Sequence, residues 1–191
     1  MPQDLTAVPW PIRTERLAIR PATPGDLDAT WAFRREPSVS EWLTHRISDR
    51  EEYAAVFLGE ERLATTLVVE MDGEVVGDLM LRVEDPWAQA EVAERAQGTQ
   101  AELGWVVAPS YAGRGIGTEA VTALLEICFA HLGLRRVKAL CFADNTASWR
   151  LMERVGMRRE EYNVRDSLHR DRGWLDGMGY ALLEDEWRAR R

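Results

Sequence analysis

Cysteine and histidine are scarce, with two of the first and three of the second in 191 residues. Cys128 and Cys141 each lie inside an apolar stretch. That placement reads as two buried free thiols in a reducing compartment, and it excludes a disulfide framework. The histidines are scattered and make no metal-ligand spacing, so no metal is expected. Long hydrophobic runs are missing too. No stretch of about 18 uncharged apolar residues occurs, which excludes a membrane-spanning helix. The opening residues show no basic segment followed by an apolar run, so no secretory leader is expected. These absences together predict a cytoplasmic protein with no membrane partner. Positive charge is not in excess: 24 Lys and Arg stand against 32 Asp and Glu, a net charge of −8. That balance disfavours nucleic acid as a partner and suits a cationic substrate such as an amine. No repeat, low-complexity tract or linker interrupts the chain, which predicts one domain over residues 1–191 with residues 1–12 as an arm.

The most informative stretch runs from Glu102 to Thr118, ELGWVVAPSYAGRGIGT. Leu103 to Val107 reads as an apolar strand that Pro109 stops. Gly113-Arg114-Gly115-Ile116-Gly117 reads as a glycine-rich turn, and an amphipathic helix is expected from about Thr118. A strand, a glycine turn and a helix N-terminus in that order form an anion site. The turn exposes N–H groups, and the helix adds unpaired N–H groups and the positive end of its dipole. Glycine lets phosphate oxygens approach closely and allows positive φ. Arg114 adds a full charge. A phosphate-bearing cofactor is the first inference. The glycine run ends Gly117-Thr118 with no lysine, which argues against a P-loop. Gly115-Ile116-Gly117-Thr118-Glu119-Ala120 fits a dinucleotide fingerprint, although Ala108 to Ala112 separate its first glycine from the strand. That reading, and a glycine loop that only turns the chain, stay open on these residues alone.

The rest of the chain alternates strands and helices. Arg16 to Arg20 reads as a strand. Thr23-Pro24-Gly25-Asp26 reads as a helix start, with the helix ending before Pro37. Residues 37–47 read as irregular. Ser48-Asp49-Arg50-Glu51 starts a second helix, carrying Tyr53, Val56 and Phe57, which Gly59 ends. Leu63–Met71 and Glu74–Val83 read as a hairpin around Asp72-Gly73. Residues 84–100 read as a long loop with room for a short helix. A helix over Glu119–Leu132, a strand over Arg136–Phe142, a helix from Asn145 to Gly156 and a closing pair of strands follow. The implied fold is a mixed α/β sheet with helices on both faces.

Three segments resemble the GNAT superfamily of coenzyme A-dependent N-acetyltransferases. They are Thr14-Glu15-Arg16-Leu17 with Arg20-Pro21, the stretch from Glu102 through Ala120, and Asn145-Thr146-Ala147-Ser148 through Met157. Within the superfamily the chain is most similar to the ribosomal-protein N-terminal acetyltransferase branch. The resemblance covers residues 12 to 187. It implies a mostly antiparallel sheet whose two central strands splay apart, and acetyl-CoA as co-substrate. The pyrophosphate would sit on Gly113, Arg114, Gly115, Ile116, Gly117 and Thr118. The pantetheine arm would pair with the exposed edge of Trp105, Val106 and Val107, with Asn145 as a further contact. The family's first motif position, a Gln or Arg, falls on Ala112, which removes one side chain from the pyrophosphate.

By the same resemblance Glu102 is the candidate base that deprotonates the acceptor ammonium, and Ser148 the group that stabilises or protonates the thiolate. Both also suit structural roles, Glu102 in a salt bridge and Asn145 with Ser148 in a helix cap. Asp176 is a candidate for the acceptor cleft, where a carboxylate would suit a cationic amine. The implied activity is transfer of an acetyl group to a primary amine, either a protein N-terminus or a small molecule. A larger acyl group such as succinyl, or a non-catalytic acyl-CoA sensor, fits the same motifs. The late strands and the tryptophans offer surface for a homodimer.

Overall fold

The computed structural model describes Leu5, residues 7–47 and residues 49–190. Eight strands form one sheet: β1 (Ile12–Arg13), β2 (Ala18–Pro21), β3 (Thr66–Met71), β4 (Glu74–Glu84), β5 (Gln100–Val107), β6 (Arg136–Phe142), β7 (Arg158–His169) and β8 (Gly173–Leu183). Their order across the sheet is β1-β2-β3-β4-β5-β6-β8-β7. Every neighbouring pair is antiparallel except β5 with β6. The helices are α1 (Leu27–Arg34), α2 (Pro37–Ser40), α3 (Arg50–Phe57), α4 (Glu60–Thr65), α5 (Ile116–Glu126), α6 (Thr146–Arg154) and α7 (Glu184–Arg188).

The β5–β6 pairing decides where a site can form. The two strands pair only at Gln100↔Arg136, Ala101↔Val137 and Glu102↔Lys138. Beyond Glu102 they part, while β4 stays paired with β5 to Val107 and β8 stays paired with β6 to Phe142. The expected splay is therefore present, and it starts at Glu102.

Both faces of the sheet are covered. One core joins Leu67, Leu79, Leu81 and Leu103 to Val121, Leu124 and Cys128 of the α5 segment. A smaller cluster on the other side joins Leu27 of α1 to Tyr53 and Phe57 of α3. Each such side chain fully removed from water contributes roughly 1.5–3 kcal/mol. Local signals set most boundaries. Asp72 and Gly73 take φ of 52° and 84°, as a type I′ hairpin turn requires. Thr23 and Asp26 form a capping box ahead of α1. Gly133 and Gly156 take positive φ just after the α5 segment and α6.

Four expectations need correction. The first hairpin strand begins at Thr66, because Glu60 to Thr65 form α4 with Gly59 as its N-cap. Gly59 thus opens a helix instead of only ending one. The helix after the glycine turn starts at Ile116, two residues earlier than expected, and its last turn, Ile127–His131, is a π turn. Residues 37–47 contain the short helix α2. Cys141 is half-buried, whereas Cys128 is buried as expected. Of the second helix start, Ser48 lies outside the described residues; Asp49 is the cap, accepting from the Glu52 N–H at 2.8 Å.

Candidate active site

A cavity of about 1530 Å³ runs from the glycine turn along the splay to the helices on the opposite side. Its donor end is made of backbone. Gly115 is the N-cap of α5 in a left-handed conformation, φ 80°, and no side chain caps the helix. The first amides of α5, on Ile116, Gly117 and Thr118, therefore have no intrahelical or capping acceptor, and these residues line the cavity. Gly113 also has positive φ, 73°. A Cβ on Gly117 would lie 3.0 Å from the Leu151 side chain, so α5 and α6 approach each other at this glycine. Ala112 is exposed and brings no polar group. The Arg114 guanidinium lies over the Tyr111 ring at 5.2 Å. The rim of this end carries two cations that sequence reasoning passed over, Arg150 and Arg154 of α6. Arg154 donates to the Thr118 hydroxyl at 3.2 Å. Their spacing of one helical turn, beside the Ser148 position, was the available signal.

Strand β5 supplies the middle of the cavity. The Ala108 N–H donates to the Val76 carbonyl at 2.9 Å. The Val106 carbonyl also faces β4, 2.5 Å from where a Gly77 Cβ would sit. Strand alternation then turns the N–H and C=O of Trp105 and Val107 toward the gap. So Trp105 and Val107 offer backbone groups to the splay, while Val106 offers a buried side chain.

Glu102 lines the cavity at the last paired position before the strands part. Its carboxylate accepts from Arg82 at 2.7 Å, with Lys138 Nζ at 3.9 Å. The salt-bridge role is thus realised, and the residue still faces the gap. Asn145 and Ser148 also line the cavity. Asn145 caps α6, its Oδ1 accepting from the Ser148 N–H at 3.3 Å. Burial pushes the pKa of the Cys141 thiol up to about 11, with the Ser148 side chain opposing the shift. Cys141 is therefore a neutral thiol on the cavity wall.

The acceptor end is made of side chains from separate elements. Trp31 of α1 stacks on Tyr53 of α3 with ring centres 5.3 Å apart. Arg34 holds Asp78 of β4 through two bonds of 2.6 and 2.5 Å. Burial alone would lower the Arg34 pKa; the Asp78 charge more than reverses that. Arg62 of α4 lines the same end. Asp176 is not part of it. Its carboxylate accepts from the Tyr162 hydroxyl at 2.6 Å and the Arg165 N–H at 2.9 Å, outside the cavity lining. The expected cleft carboxylate is therefore not Asp176.

Residues 16–158 match the acetyltransferase (GNAT) domain. The chain belongs to the GNAT acetyltransferase family. The uncharacterized N-acetyltransferase YnaD of Bacillus subtilis is 30% identical over 177 residues, covering 92% of this chain and 98% of that protein. A GNAT-family acetyltransferase structure from Bacillus anthracis superposes with a TM-score of 0.76 at 29% identity, covering 91% of this chain and 98% of that one. Mycobacterium smegmatis RimJ, solved in complex with CoA-disulfide, superposes with a TM-score of 0.71 at 26% identity over 89% of this chain and 83% of that chain. The ribosomal-protein acetyltransferase likeness read from the sequence is supported by YdaF of Bacillus subtilis, described as a ribosomal N-acetyltransferase, which is 34% identical over 92 residues, covering 48% of this chain and 50% of that protein. Among the described residues no helix is long and apolar enough to cross a membrane.

Proposed function

We propose that this protein transfers an acetyl group from acetyl-CoA to a primary amine by direct attack, without a covalent enzyme intermediate. The observation that carries the reading is the continuity of one cavity. It joins uncapped helix amides, an unpaired strand edge and a carboxylate at the point of splay.

Coenzyme A fits the residues present. The amides of Ile116, Gly117 and Thr118, at the positive end of α5, suit a pyrophosphate. The positive φ of Gly113 and Gly115 shapes the turn that exposes them. Arg154, on the Thr118 hydroxyl, adds charge at this end, where Ala112 supplies none; Arg114, over the Tyr111 ring, lies outside the cavity lining. The free edge at Trp105 and Val107 suits the pantetheine amides, as in strand addition. Acetyl-CoA, when bound, supplies a thioester carbonyl for a neutral amine to attack. Glu102 takes the proton from the acceptor ammonium, directly or through one water, with Arg82 fixing its carboxylate. An N–H on the open edge of β5 donates to the oxygen on which negative charge develops. Ser148 donates to the departing sulfur as the carbon–sulfur bond breaks.

The reading is tested by following thiol release from acetyl-CoA against a panel of primary amines. The expected result is amine-dependent release with stoichiometric acetylated amine. Release with no amine dependence, or none with any amine while the coenzyme binds, would overturn the enzymatic reading.

A further inference from the structure

Charged side chains of both signs line the cavity. On the β3–β4 side, Arg34 and Arg62 face it together with a single carboxylate, Asp78. Asp78 is committed to Arg34 by two short bonds and is 2% exposed. Among the described residues the Arg62 guanidinium donates no hydrogen bond and makes no ion pair. It is half-buried, and burial together with the Arg34 charge holds its pKa below the ordinary value. A guanidinium removed from water and left unpaired is costly, so this cluster of two cations and one anion lacks a counter-anion. Its neighbours are the stacked rings of Trp31 and Tyr53, which extend the wall without neutralising it. Across the splay, β7 contributes Glu161 and Asp166 to the opposite wall. Glu102 lies between the two walls.

We propose that the acceptor is an amine that also bears a carboxylate, with its carboxylate on Arg62 and its ammonium toward Glu102. This deepens the acetyl-transfer reading and rests on it. A free polyamine would leave Arg62 unpaired and bring a second cation beside it. An amino-carboxylate neutralises Arg62 through a charge-assisted bond, and guanidinium geometry accepts a carboxylate on two N–H groups. Arg62 and Glu102 line the same cavity, and acceptors of different length sample the separation between them. Arg62 is thus a specificity residue and has no part in the chemistry.

The test uses matched pairs that differ only in charge. They are β-alanine, γ-aminobutyrate, 6-aminohexanoate and glycylglycine, each beside its carboxamide, with spermidine as an unmatched cation. Binding is read by calorimetry on protein saturated with coenzyme A, so no turnover is needed. At least one carboxylate should bind roughly tenfold or more tighter than its carboxamide. Arg62→Ala and Arg62→Gln should each abolish that gap and leave coenzyme A affinity within about twofold. Carboxamides or spermidine binding as well as the carboxylates, no carboxylate binding, or a preference surviving both substitutions would overturn the inference. The preceding coenzyme A titration reports separately on the donor reading. If it fails, the pairs are titrated on the free protein.

Discussion

The donor end and the acceptor end of the cavity are built from different materials. The donor end uses main chain: uncapped amides of α5, glycines at positive φ and the free edge of β5. Its residues are close in sequence, from Trp105 to Thr118, with α6 added at the rim. The acceptor end uses side chains brought from Trp31, Arg34, Tyr53, Arg62 and Asp78 on four separate elements. The difference teaches what each end can tolerate. A backbone site is defined by where glycine is required and fails when a side chain intrudes. A side-chain site is defined by charge pairing and fails when one partner is removed.

The largest expected effect breaks the acceptor end. Asp78→Asn leaves the Arg34 guanidinium buried without its counter-charge, next to Arg62. Losing one partner of a buried pair costs about 3–5 kcal/mol. Urea unfolding should show that loss as a lower midpoint at unchanged slope. A midpoint within experimental scatter of the parent would mean that Arg34 finds another partner.

Next comes the carboxylate between the two ends. Glu102→Gln keeps the shape but removes the proton acceptor. Amine-dependent turnover should fall by about 10²–10⁴-fold, with acetyl-CoA affinity unchanged. Unchanged turnover would leave Glu102 with its Arg82 bond as a purely structural residue. Ser148→Ala should lower turnover by about tenfold, since water can reach the sulfur in its place; an equal loss of coenzyme affinity would assign Ser148 to binding.

Much of the donor end was legible in the sequence because glycine spacing encodes backbone geometry directly. Gly113 to Gly115, the cap at Asn145 and the strand ending at Val107 all lie where local signals put them, although the helix takes in Ile116 and Gly117 as well. The splay was legible only through the family resemblance, since no local signal says where two parallel strands stop pairing. The acceptor end was not legible. Arg34 and Arg62 look like ordinary charges on helix surfaces, and Asp78 looks like a strand carboxylate. Only tertiary packing brings Arg34 onto Asp78 and leaves the Arg62 guanidinium without a partner among the described residues. α4 was missed for a similar reason: Leu63 to Met71 is nearly continuous in apolar and β-branched residues, and it hid the helix that Gly59 starts. Asp176 was offered as the cleft carboxylate from its place in a late strand, but it is committed to Tyr162 and the Arg165 amide instead.

The smallest effect sharpens the comparison at the base of α1, which carries Arg34. Arg20 bonds Asp26 at 2.8 Å, and with Thr23 it holds the Asp26 carboxyl below its usual value against the opposing effect of burial. A depressed carboxyl stabilises the fold above its unfolded pKa, and that stability is lost as pH falls through the lower folded value. The contribution should therefore be complete above about pH 4 and disappear below it. Asp26→Asn should flatten the fall in urea midpoint between pH 5 and more acidic conditions, by roughly the effect of one pair. Parallel curves for parent and variant would remove Asp26 from the acid response.

The central claim is that the uncapped N-terminus of α5 holds the donor, and Gly117→Asp tests it most directly. An acidic residue in the first turn favours the helix dipole, but its Cβ would meet Leu151 at 3.0 Å, so the variant is first checked for a cooperative melt well above the titration temperature. The same carboxylate would repel a pyrophosphate at the Gly117 amide. Calorimetric titration with acetyl-CoA should show one-site binding to the parent and a loss of about 100-fold or more in the folded variant, while Gly117→Ala, which carries the Cβ without the charge, keeps most of the parent's affinity. Equal affinity in both proteins, or no binding of acetyl-CoA to the parent, would contradict the account.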